Sequence, residues 1–109
     1  MDDLETQTEL SLSGDVLEKL YPTSARLTIK NRLGLHARAA AKLVEAAEPF
    51  KSKLVMLKND LEADVRSILE LISLGCPYNT EVLIVADGDD AMEAIEALSS
   101  IIENRFGEL

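Results

Sequence analysis

Residues 25–48 read ARLTIKNRLGLHARAAAKLVEAAE, and three textures follow one another in that stretch. From Ala25 to Lys30 the residues alternate: Ala25, Leu27 and Ile29 fall on one side, Arg26, Thr28 and Lys30 on the other. A period of two predicts a half-buried strand. Asn31–Leu35, with Gly34 inside it, reads as a loop. From His36 to Glu48 the chain is rich in alanine and sets Ala40, Leu43, Val44 and Ala47 on one helical face; Pro49 stops the helix.

The same signals continue downstream. Lys53–Lys58 (KLVMLK) is a strand, Asn59-Asp60 is a tight turn because both residues tolerate positive φ, and Leu61–Ala63 is a short return strand. Ser67–Leu74 is a short helix with Ser67 as its cap and Gly75 as its stop. Thr80–Ala86 (TEVLIVA) is a strand, and Asp89–Asn104 is the longest helix, with Ala91, Met92, Ile95, Leu98 and Ile102 on its apolar face. The order β-α-β-β-α-β-α predicts a two-layer α+β domain, an open-faced sandwich with a mostly antiparallel four-stranded sheet and three helices on one face.

Residues 1–24 differ in character. They hold six acids and one base, against a net charge of −9 for all 109 residues. Residues 1–24 are therefore read as an acidic extension and 25–109 as the domain. Such a charge excludes nucleic-acid binding and attraction to anionic lipid, since both present negative phosphates. No apolar run is long enough to span a bilayer, and the first residues lack the basic and apolar regions of a secretory leader. The one cysteine, Cys76, cannot form an intrachain disulfide and fits a reducing cytoplasm. With one histidine and one cysteine, a His/Cys zinc site is excluded, and neither a metal nor a cofactor is expected.

The chemistry lies at His36, where loop turns to helix. A helix start offers free backbone N–H groups and the positive end of the dipole, which suit an anion and favour a neutral imidazole. A neutral ring is a nucleophile. If it takes a phosphoryl group, the amides of Ala37 and Arg38 and the Arg38 guanidinium are placed to bond the oxygens. From local physics alone an incidental surface or capping histidine stays open beside this reading.

Gly34-Leu35-His36-Ala37-Arg38-Ala39-Ala40 resembles the active-site motif G-[LM]-H-x-R-P-A of the HPr family, the phosphocarriers of the phosphoenolpyruvate-dependent phosphotransferase system. Arg66-Ser67-Ile68-Leu69 and Ile72-Ser73-Leu74-Gly75 are similar to the family's second motif, around its regulatory serine. The resemblance covers about residues 25–109. It implies a stoichiometric cytoplasmic carrier rather than an enzyme. His36 accepts phosphate on Nδ1 from phospho-Enzyme I and passes it to an Enzyme IIA-type partner, in either the sugar-transport or the nitrogen-related branch. It implies a supporting role for Arg38, docking of partners through Leu69 and Ile72, and phosphorylation of Ser67 by an HPr kinase. The alternative is a regulatory docking module that passes no phosphate.

The chain departs from the family where Ala39 replaces proline, and at Glu70, which puts a charge beside the docking surface. Glu70 also stands three residues after Ser67, a capping-box spacing, so a plain helix N-cap competes with regulation at Ser67. Cys76, Met56 and Met92 read as core. Alternation puts Val55, Leu57, Leu83 and Val85, with Leu61, on the sheet face away from the helices. Five aliphatics there predict a cover: residues 8–21 folded back over the face of a monomer, with a second copy in a homodimer as the alternative and a disordered acidic tail as the competing reading.

Overall fold

The computed structural model describes residues 23–109. Residues 1–22, the bulk of the acidic extension, lie outside the described residues, and so does the expected fold-back of residues 8–21. The elements are β1 (Thr23–Thr28), α1 (Ala37–Ala47), β2 (Lys53–Lys58), β3 (Leu61–Asp64), α2 (Ile68–Ser73), β4 (Glu81–Asp87), α3 (Ala91–Glu103) and a 3₁₀ turn at Arg105–Gly107. The sheet runs β1-β4-β2-β3 with every neighbouring pair antiparallel. This is the open-faced α+β sandwich expected from the element order.

Strand β1 begins and ends two residues earlier than the alternation alone suggests. Its ladder with β4 runs from Thr23↔Ala86 to Thr28↔Glu81. Beyond it Ile29 still exchanges bonds across the gap, donating to Thr80 O at 2.8 Å and accepting from Asn79 N at 2.7 Å. The alternation therefore outlasts the regular ladder. Asn59 turns the β2–β3 hairpin with φ of 54°.

The core forms between the helices and one sheet face. Leu27, Ile29, Leu54, Met56, Ala63, Val82, Ile84 and Ala86 from the strand side meet Leu43, Leu71, Leu98, Ile102 and Phe106 from the helical side. Arg66 ties the end of α1 to the start of β2: its guanidinium donates to Ala47 O (3.1 Å), Ser52 O (3.0 Å) and Phe50 O. A smaller cluster, Leu57, Leu83 and Val85 with Val55 beside them, lies on the opposite sheet face and, among the described residues, contains strand residues only.

Two expectations fail. Met92 is 65% exposed, not core. The buried stripe of α3 is Ala91, Ala94, Ile95, Leu98 and Ile102, an i, i+3, i+4, i+7, i+11 set, and Met92 falls beside it with Glu96 and Ser99. Leu61 does not join the helix-free face. Register sets it opposite Lys58, with the parity of the buried pair Met56–Ala63, and it is exposed on the helix side.

Candidate functional site

The loop ahead of α1 is held in shape by one glycine and one asparagine. Gly34 has φ of +74°, and a Cβ built there would sit 2.5 Å from Cys76 O, so a side chain is excluded on both grounds. Leu35 N–H donates to that same Cys76 oxygen at 2.9 Å, which locks the loop against the Cys76–Pro77 segment. Asn31 is fully buried, and its Nδ2 donates to Gly34 O (2.7 Å) and to Glu108 Oε2 (2.8 Å). Cys76 is a buried free thiol, and burial pushes its pKa up, which fits the structural reading.

His36 is the N-cap residue of α1, with extended backbone and no side-chain cap bond. The first helical bond runs from Ala40 N–H to His36 O at 2.8 Å. The amides of Ala37, Arg38 and Ala39 therefore precede the helical ladder, at the positive end of an 11-residue helix. The imidazole is free of capping and is available for chemistry.

Its partner is a residue that sequence reading missed. Glu108 Oε2 lies 2.9 Å from His36 Nε2, and its Oε1 lies 3.6 Å from the Arg38 guanidinium. The Asn31 hydrogen bond, then the His36 bond, hold the Glu108 carboxyl below its ordinary pKa. An ionised carboxylate only accepts, so the Nε2 it faces carries the proton. In the neutral ring the other nitrogen, Nδ1, then bears the lone pair. His36 and Arg38 are thus brought together through Glu108. Arg38 is 66% exposed over its side chain, so nothing in the core fixes it there.

Ser67, Leu69 and Ile72 form a second group on α2, which packs on α1. No hydrogen bond joins it to the His36–Glu108 cluster among the described contacts. Ser67 Oγ accepts from Glu70 N–H at 3.1 Å, so it caps α2 as the spacing suggests. The reciprocal half of the capping box is absent: the Glu70 carboxylate accepts from Asp64 N–H at 2.8 Å instead. Leu69 is 76% exposed, and Ile68 and Ile72 are exposed beside it. Among the described residues no group of three or more His, Cys, Asp or Glu side chains converges on a metal position, and no helix is long and apolar enough to cross a membrane.

Fold and site define a class first: an open-faced α+β sandwich that presents one histidine, held by a carboxylate, at a helix start. A family model described as the PTS HPr component phosphorylation site matches residues 23–104. The phosphocarrier protein HPr of Cupriavidus necator is 44% identical over 81 residues, 74% of this chain and 91% of that protein. A multiphosphoryl transfer protein of Haemophilus influenzae is 37% identical over 109 residues, 97% of this chain but 20% of that protein, so the match takes in residues ahead of β1. In structure, a crystal structure of HPr from Thermoanaerobacter tengcongensis superposes with a TM-score of 0.76 at 41% identity, covering 79% of this chain and 97% of that one. The chain belongs to the HPr family of phosphocarrier proteins.

Proposed function

We propose that His36 carries the phosphoryl group on Nδ1, taking it from phospho-Enzyme I and handing it to an Enzyme IIA-type partner in the cytoplasm. The observation that carries this reading is the 2.9 Å contact between His36 Nε2 and the Glu108 carboxylate at the start of α1. With the proton on Nε2, Nδ1 attacks phosphorus in line, its N–P bond forming as the donor's N–P bond breaks and the electron pair returns to the donor imidazole. The incoming phosphoryl brings negative charge beside Glu108. Repulsion between the two anions frees Arg38 from Glu108 and turns it to the phosphoryl oxygens, while the Ala37 amide at the helix start adds a fixed donor. The same step in reverse loads the acceptor, so the protein is a stoichiometric intermediate with no turnover of its own. Leu69 and Ile72, exposed on α2, supply the apolar contact for both partners.

In this reading the Ser67 hydroxyl serves α2 as a cap, and its phosphorylation by an HPr kinase would compete with that bond. The second reading, a docking module that passes no phosphate, rests on the exposed apolar side of α2.

Mass spectrometry after incubation with phosphoenolpyruvate and the cognate Enzyme I tests both. One acid-labile phosphoryl group is expected on the wild-type chain and none on His36→Ala. Acid-labile label on the variant, or none on the wild type, rejects His36 as the carrier. Arg38→Ala is expected to fold with a stability change of about 0.5 kcal/mol or less, as an exposed surface change does. Its transfer rate is expected to fall at least roughly tenfold, because it loses a charge aimed at the phosphoryl. Wild-type rates in that variant would remove Arg38 from the site.

A further inference from the structure

Leu83 and Val85 on β4 are each 3% exposed and Leu57 on β2 is 5% exposed, although all three point away from the helices. Their cluster includes Val55 and, among the described residues, no residue of a helix. Side chains at the centre of a bare sheet face stand into solvent; exposures this low require a layer on top of them. None of the described elements packs on this face, since α1, α2, α3 and the 3₁₀ turn contribute to the opposite core.

We propose that this layer is the chain's own N-terminal segment, residues 8–21, laid across β4 and β2. The geometry of the chain favours it over any other occupant. The segment leads straight into Thr23, the first residue of β1, and β1 is the sheet edge next to β4. The patch begins one strand inward and ends two strands inward, about 5–10 Å from β1 at the usual spacing of strands. Fourteen residues span about 21 Å even in their most compact regular form, a helix, so the reach is ample. The segment also carries the complementary surface. Leu12, Val16, Leu17 and Leu20 recur at i, i+4, i+5 and i+8, one apolar stripe in a stretch that also bears Glu9, Asp15 and Glu18. Arg26, exposed opposite Leu83 on this face, stands on the side where a segment bearing Asp15 and Glu18 would cross. The segment and sheet then form a second, smaller core, on the side of the sheet that the phosphoryl site does not use.

Methyl-labelled full-length protein tests this directly. Nuclear Overhauser contacts are expected between the methyls of Leu57, Leu83 and Val85 and those of residues 8–21. In a mixture of differently labelled chains these contacts should arise within one chain only. The double variant L17D/L20D should lose them, melt lower by about 5 °C or more, and self-associate through the bared face. Contacts found only between chains would overturn the proposal in favour of a second copy as the cover. An absence of contacts, together with an unchanged melting temperature in L17D/L20D, would overturn it outright.

Discussion

Glu108 accepts from Asn31 and His36 and stands 3.6 Å from the Arg38 guanidinium, which makes it the meeting point of the site. In the proposed role of His36, an incoming phosphoryl group would add like charge beside this carboxylate and weaken its hold on the ring and on Arg38. Glu108→Gln should therefore shift the phosphoryl equilibrium with Enzyme I several-fold toward the phosphorylated form, measured by quench-flow with isotope-labelled phosphoenolpyruvate. A shift the other way, or none, would deny Glu108 any part in the transfer. His36 and Arg38 were legible in the sequence because they are two residues apart and helix geometry relates them. Glu108 was not, because 72 residues separate it from His36 and nothing local joins them. What delivers it is Phe106, buried at 2% exposure, whose carbonyl is held by Lys42 Nζ at 2.6 Å. An aromatic followed by glycine just ahead of a glutamate was the one available sign.

At the scale of elements, periodicity located each strand and helix because each buries one stripe or one face. What periodicity could not give was the margin of a stripe, where Met92 lies, or the register of a two-residue hairpin, where Leu61 lies. Register is decided by pairing, and Asn59-Asp60 places Lys58 opposite Leu61, which reverses the face assigned to that leucine. Helix α2 is only six residues long and depends on its ends. Ser67 Oγ caps the start, and Lys58 Nζ donates to Leu74 O (3.2 Å) and Gly75 O (2.5 Å) at the finish. Ser67→Ala should cost about 1 kcal/mol in urea unfolding, the usual loss for an N-cap. A change within error would mean that the hydroxyl does not hold α2. The spacing Ser67–Glu70 announced the cap, but not that Glu70 would turn to Asp64, since that residue arrives from β3.

Across the whole molecule, Asp90 plays the part at the far end of β2 that Glu108 plays near His36. Its carboxylate accepts from Lys51 N–H (2.8 Å), Ser52 N–H (3.0 Å) and Ser52 Oγ (2.5 Å), joining the start of α3 to the start of β2. The Ser52 hydroxyl bond, then the Lys51 amide, hold the Asp90 carboxyl below its ordinary pKa. Its folded pKa is thus lower than its unfolded one. The stabilisation is full above the unfolded value, about 4, and is lost as pH falls through the folded value. Asp90→Asn should melt below wild type at neutral pH, and the gap should close as pH falls below the unfolded value of about 4. A constant gap across that range would show that the Asp90 charge contributes nothing. Asp90 is the N-cap residue of α3, at the start of the Asp89–Asn104 helix that the apolar stripe predicts. Its reach to Ser52 was invisible, because only the folded sheet brings those residues together.

The 72 residues between His36 and Glu108 also have a meaning in time. A ribosome adding about 5–20 residues per second finishes His36 roughly 4–14 s before it reaches Glu108. Through that interval the nascent chain has its histidine but not the carboxylate that faces the ring, and for most of it β1 also lacks β4, its one neighbour among the described strands. In the proposed role of His36, a half-made chain emerging from the exit tunnel is therefore a poor recipient of phosphate, and readiness for transfer arrives only when Glu108 reaches the ring.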